Sequence, residues 1–264
     1  MRTVAPTLKS SEIIYPSADG KPVAETYDHL YAILTTLEVL KQYLAGQHAT
    51  VLANQFLYYA EGFPKLRTAP DVMVIYDVEP GGRDNYKIWL EGQVPKVVFE
   101  ITSPSTQSED KVTKKDLYES LEIQEYWLFD PKGQWIPEKL RGYRLREDSY
   151  QLITDSRSEV LQLRFEIEGK LIGFYREDNG EKLLIPDELA SALEAERQRA
   201  EAERQRAEVE SQRAEAERQR AEAESQRAEA ESQRAEAESQ RAAELESLLG
   251  RYRDRFGELP ESNG

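Results

Sequence analysis

The 264-residue chain contains no cysteine, which excludes a disulfide framework, a thiolate zinc site and a cysteine nucleophile together. No stretch approaches ~18 uninterrupted apolar residues, and Met1 to Tyr15 lacks a basic segment leading into an apolar one. The expectation is a soluble, cytoplasmic protein. Aromatic residues, proline and glycine nearly vanish after Pro186. All three tryptophans (Trp89, Trp127, Trp135) and nearly every tyrosine precede that point, so the N-terminal part alone has the side chains for a sizeable core. Positive charge is also in short supply. The net charge is -15, and residues 187–247 carry 18 acids against 10 arginines. This argues against a broad phosphate-binding surface. It leaves room for nucleic-acid chemistry only where metal ions and a few local lysines hold the phosphate.

The composition predicts an α/β domain over residues 1–186, a helix built on a seven-residue repeat over 187–256, and a disordered tail over 257–264. Up to about Pro22 the chain reads as an irregular lead-in with an Asp19-Gly20 turn signal. Over residues 25–44, Leu30, Ile33, Leu34, Leu37, Leu40 and Leu44 recur at three and four, the amphipathic helical period, and Gly46 stops the run. Strand-like runs rich in β-branched and aromatic residues follow at 50–59, 71–76, 96–102 and 125–129. A second helix is expected over 107–121. The continuous apolar segments Val97-Val98-Phe99 and Tyr126-Trp127-Leu128-Phe129 suit central strands covered on both faces. Shorter segments at 142–145, 150–153, 160–165 and 171–174 read as hairpins. The order implies a layered α/β domain around a mixed sheet.

One residue stands out chemically. Glu100 interrupts the apolar strand Val97-Val98-Phe99-Glu100-Ile101, and a buried carboxylate requires compensation by a divalent cation, by an Arg or Lys partner, or by solvent at a strand end. Asp71 opens the strand Asp71-Val72-Met73-Val74-Ile75 after Pro70, either as a site residue at a strand end or as a turn-capping acid. Two acids on nearby strands together supply the hard oxygen ligands that Mg²⁺ or Mn²⁺ prefers. Asp110, Lys114 and Tyr118 are spaced i, i+4, i+8 along one helix face. Lys114 either reaches the acids or forms an exposed ion pair with Asp110, and Lys111 and Lys115 compete for the role. Asp71, Glu100 and one lysine form a coherent set for phosphodiester hydrolysis, with the carboxylates on the metal and the amine orienting water or stabilising negative charge.

The segments Pro70-Asp71-Val72, Pro95 to Thr106 (Pro-Lys-Val-Val-Phe-Glu-Ile-Thr-Ser-Pro-Ser-Thr), Asp110, Lys114 and Tyr118, and Glu125-Tyr126-Trp127-Leu128-Phe129-Asp130-Pro131 resemble the Uma-two-type restriction endonuclease family of the PD-(D/E)XK nuclease superfamily. The resemblance runs from about Glu25 to Leu145. It implies a restriction-endonuclease-like fold, a mixed sheet between helices, with a Mg²⁺-dependent nuclease site acting on DNA. Asp71 then matches the superfamily's Asp and Glu100 its second acid. The lysine usual two residues later is absent, because position 102 is Thr; in this family it sits on the next helix, which points to Lys114. Glu25 matches an acid that many superfamily members contribute to the metal from the first helix. His29 lies one turn further on, as an aid to water activation or as a structural residue. The alternative function is a non-catalytic binding or assembly module on the same fold.

From Arg199 to Arg241 the repeat reads Arg-Ala-Glu-Ala-Glu-(Arg/Ser)-Gln, with Val209 once replacing Ala. The composition favours helix, and Arg199–Glu203 and Glu201–Arg204 are i,i+4 and i,i+3 pairs. The best three-and-four seam, Gln198, Ala202, Gln205, Val209, Gln212 and Ala216, is narrow and weakly apolar. Two readings follow: a weak parallel coiled coil that makes a homodimer, slightly favoured, and a lone charged spacer helix.

Overall fold

The computed structural model describes residues 13–20, 25–103 and 109–257, without the side chains at 109–111 and 256. Pro104 to Thr106 of the family motif, the side chains of Asp110 and Lys111, and residues 258–264 of the tail expected over 257–264 lie outside the described residues. The chain divides into two compact units, Met1–Ser191 and Ala192–Gly264.

In the first unit, α1 (Tyr27–Tyr43) starts at Thr26, whose side chain accepts a hydrogen bond from the backbone N–H of His29, an N-cap that satisfies one orphan donor. It buries Ala32, Ile33, Thr36, Val39 and Leu40 along one stripe. Then come β1 (Ala49–Leu52), β2 (Leu57–Tyr58), β3 (Arg67–Thr68), β4 (Val72–Tyr76), β5 (Tyr86–Lys87), the short α2 (Ile88–Glu91) and β6 (Val97–Ile101). A π-helical turn (Glu109–Lys114) leads into α3 (Lys115–Ser120), followed by β7 (Glu125–Phe129), β8 (Leu140–Arg146) and β9 (Ser149–Ile153). The unit closes with β10 (Arg157–Ser158), β11 (Leu163–Glu168), β12 (Leu171–Arg176), β13 (Lys182–Leu183) and the first turns of α4 (Pro186–Phe256).

The main sheet is mixed, as expected. Its order is β1-β4-β6-β7-β8-β9, with β6 and β7 parallel and every other neighbouring pair antiparallel. One face packs on α1 and the sheet β10-β11-β12-β13 through Val72, Phe99, Trp127, Phe165 and Phe174; the other packs on α3 and the small sheet β3-β2-β5 through Met73, Val98, Tyr118, Tyr126 and Leu128. Both central strands are buried along their whole length, which is why they lack polar alternation. Trp127 lies over Gly142, its cross-strand partner, where a Cβ would stand within 2.4 Å of the indole ring.

Two expectations need correction. The strand foreseen over 50–59 breaks into β1 and β2, because Asn54 takes a left-handed conformation (φ 53°) and its N–H turns to the carbonyls of Pro70 and Asp71; Asn tolerates that region through local hydrogen bonding. The helix foreseen over 107–121 is, where described, a π turn followed by six residues of α-helix. In the second unit, α4 continues with every side chain from 192 to 255 exposed. No helix among the described residues is long and apolar enough to cross a membrane.

Candidate active site

Alternation along β6 sends Phe99 and Ile101 towards α1 and Glu100 towards α3. Glu100 is fully buried, and the π turn and α3 each bring it a donor. The Lys114 ammonium donates to Oε2 at 2.8 Å and the Tyr118 hydroxyl to Oε1 at 2.6 Å. The spacing of four residues brings both onto this face, with Lys114 at the junction of the π turn and α3. Lys115 instead lies 3.8 Å from Glu119 and over the rings of Tyr143 and Tyr150. Burial, and then the negative charge of Glu100, push the Tyr118 hydroxyl well above its ordinary range.

Asp71 stands just ahead of β4. The register Val72↔Phe99 of β4 on β6, continued by one residue, sets Asp71 opposite Glu100. Its Oδ2 accepts the backbone N–H of Ile101 at 2.6 Å. His29, from α1, reaches the same peptide: its Nε2 lies 2.7 Å from the Ile101 carbonyl and 3.6 Å from Asp71 Oδ2, and its Nδ1 lies 3.0 Å from Glu25 Oε2. Burial acts to lower the His29 pKa, but the hydrogen bond and charge of Asp71, the charge of Glu25 and the Ile101 carbonyl outweigh it and raise the imidazole to about 9.

The sequence candidates therefore gather around one peptide, with Glu100, Lys114 and Tyr118 on one side and Asp71, His29 and Glu25 on the other. Thr102, where the superfamily lysine would stand, is buried, and its Oγ1 has no hydrogen-bond partner. Among the described residues, no three His, Asp or Glu side chains form a complete ion-binding group. The donor set still suits Mg²⁺, which keeps several waters and uses one or two protein carboxylates together with substrate phosphate. Asp71 and Glu100 supply two such carboxylates, and Glu25, whose Oε2 lies 3.0 Å from His29 Nδ1, stands on the Asp71 side as a third acid.

A second buried acid had no role in the sequence reading. Glu125 opens β7 and is fully buried. It accepts from Arg144 Nε at 3.0 Å, the Glu159 N–H at 2.8 Å, Ser158 Oγ at 2.5 Å and Trp127 Nε1 at 3.3 Å. Its signal was an acid at the head of an apolar strand, but partners up to 34 residues away are invisible locally. Saturated with fixed donors at the start of the strand, it ties β7 to β8 and β10.

A search of curated proteins finds no match to this chain. A solved structure described as a putative nuclease belonging to DUF820 from Anabaena variabilis aligns at 21% identity over 54% of this chain and 77% of its own, with a TM-score of 0.37. The model of the Uma2 family, described as "Putative restriction endonuclease", matches residues 8–171. The matched span takes in α1, the Asp71 turn, the Glu100 strand and the Lys114 helix, and the chain belongs to the Uma2 family.

Proposed function

We propose that the chain is a divalent-metal-dependent endonuclease that hydrolyses phosphodiester bonds in DNA, with Asp71, Glu100 and Lys114 at its centre. The observation that carries this reading is a fully buried carboxylate in an apolar strand, held at 2.8 Å by a lysine from the π turn that follows, with a second acid, Asp71, bound to the N–H of the next residue, Ile101. A buried acid of this kind is a weak device for stability and a good one for chemistry.

Asp71 and Glu100 would hold Mg²⁺ or Mn²⁺, with Glu25 a further ligand. When bound, the ion polarises the phosphate and lowers the pKa of its water. Lys114 orients the attacking water and stabilises negative charge as it develops on the phosphate. His29 and the Asp71–Ile101 hydrogen bond fix the strand end on which the carboxylates stand.

Incubation with plasmid DNA and Mg²⁺ or Mn²⁺, beside Asp71→Ala and Glu100→Ala, tests the reading. Cleavage by the native chain alone supports it; equal behaviour of all three proteins refutes it. The net charge of -15 and Thr102 favour a second reading, a non-catalytic binding or assembly module. Calorimetry separates the two, because a scaffold shows no Mn²⁺ binding that depends on Asp71 and Glu100. For α4 the proposal is a weak parallel coiled coil that makes a homodimer, which requires a dimer mass for the full chain in solution.

A further inference from the structure

One buried polar atom beside the candidate site is left over. Thr102, which follows β6, is 3% exposed; its backbone N–H donates to the Phe129 carbonyl at 2.7 Å, but its Oγ1 has no hydrogen-bond partner among the described residues. A buried hydroxyl left unsatisfied costs stability, and in a native fold it calls for a water, an ion or a functional role. Thr102 borders a small pocket with Thr26, Asp28 and His29 from the amino end of α1 and with Lys132 and Trp135 from the turn after β7. The pocket has room, about 20 Å³, for one water-sized group. It lies where the neighbouring parallel strands β6 and β7 end, the edge at which α/β sheets collect ligands. His29 joins it to the rest of the site, because the same ring lies 3.6 Å from Asp71 Oδ2.

The surroundings suit an anion. The amino end of α1, a helix of 17 residues, carries partial positive charge. The Asp28 carboxylate is already held by Lys170 at 2.8 Å. Lys132 stands exposed on a turn fixed by the buried Asp130, whose carboxylate accepts the N–H groups of Lys132, Gly133, Trp135 and Ile136. We infer that this pocket is a second phosphate subsite: the Thr102 hydroxyl and the Lys132 ammonium bind one non-bridging oxygen of the DNA phosphate next to the one held at Asp71, Glu100 and Lys114. The inference rests on the nuclease reading and extends it along the substrate's backbone. One oxygen fills the available room while the rest of the phosphate stays at the mouth. An unsatisfied group of the free chain thereby becomes a hydrogen bond of the complex, one residue from the Ile101 peptide on which Asp71 and His29 meet.

The test uses the full chain, with Thr102→Val and Lys132→Met beside the native protein. Binding of a short DNA duplex, with Ca²⁺ in place of Mg²⁺, is read by fluorescence anisotropy over a series of KCl concentrations, and urea unfolding is followed on the free proteins. Thr102→Val removes the orphan hydroxyl at constant shape, so the free variant should unfold at higher urea than the native chain while its DNA affinity falls at least about tenfold, the worth of a hydrogen bond to a charged group. Its salt dependence should stay native, because a hydroxyl carries no charge. Lys132→Met should instead lower the slope of log K against log[KCl] by about 1, the signature of one lost phosphate contact. Native affinity in Thr102→Val, an unchanged slope in Lys132→Met, or a Thr102→Val less stable than the native chain overturns the inference alone: the pocket then holds water only, or the hydroxyl serves the fold. A native chain that binds no DNA at any salt refutes the nuclease reading and the inference with it.

Discussion

The triple variant Glu100→Met/Lys114→Met/Tyr118→Phe replaces the acid and two of its partners by apolar groups of similar size. The single variant Lys114→Met removes one charge-assisted hydrogen bond, at 2.8 Å, from a carboxylate that is fully buried. A bond of that class contributes about 1.5–3 kcal/mol, so Lys114→Met should lose that much stability. Removing these three polar groups together instead abolishes the desolvation of Glu100 and extends the apolar cluster of Met73, Val98, Tyr126 and Leu128. Replacing a buried ion pair in this way is neutral or stabilises by about 1–4 kcal/mol. The triple variant is therefore expected to match or exceed the native chain and to exceed Lys114→Met by at least about 1.5 kcal/mol. Tryptophan fluorescence during urea unfolding is the appropriate assay, because all three tryptophans precede the repeat helix and α4 does not contribute to the signal. A triple variant less stable than Lys114→Met would show that these groups are there to hold the fold, and would refute their assignment to chemistry.

Glu125→Ala should behave in the opposite sense: it leaves Arg144, Ser158 and the Glu159 N–H without their acceptor and should cost about 3–5 kcal/mol in the same assay. Gly142→Ala puts a Cβ within 2.4 Å of the Trp127 ring; the expected loss is about 1–3 kcal/mol, with a changed near-ultraviolet circular dichroism spectrum. His29 is raised from 6.5 to about 9, so its proton is held more tightly in the folded state. Its stabilisation is complete below pH 6.5 and is lost as pH rises towards about 9. The melting temperature of the native chain should fall over that window, and that of His29→Gln should fall less; parallel curves would contradict the assignment.

The central strands were legible because both faces are buried, so their apolar runs carry no polar interruption except at Glu100. That exception pointed to the candidate site. Lys114 was legible through the i, i+4, i+8 spacing, but choosing it over Lys115 needed the direction in which the π turn delivers each side chain. The two-residue strands β3 and β5 are too short to leave a period, and the break at Asn54 depends on carbonyls 16 and 17 residues downstream. The binding of Asp71 to the Ile101 N–H is a consequence of antiparallel register, which a single strand's sequence does not state. The partners of Glu125 were hidden for the same reason.

Cleavage of supercoiled plasmid by the native chain and by Glu100→Gln, each with Mg²⁺ and again with excess chelator, tests the central claim most directly. The account predicts nicking by the native chain with Mg²⁺, its loss in chelator, and a rate for Glu100→Gln lower by at least about a hundredfold, the scale on which removal of one preorganised electrostatic group slows a reaction. Nicking that survives chelation, or that proceeds equally in Glu100→Gln, would contradict it.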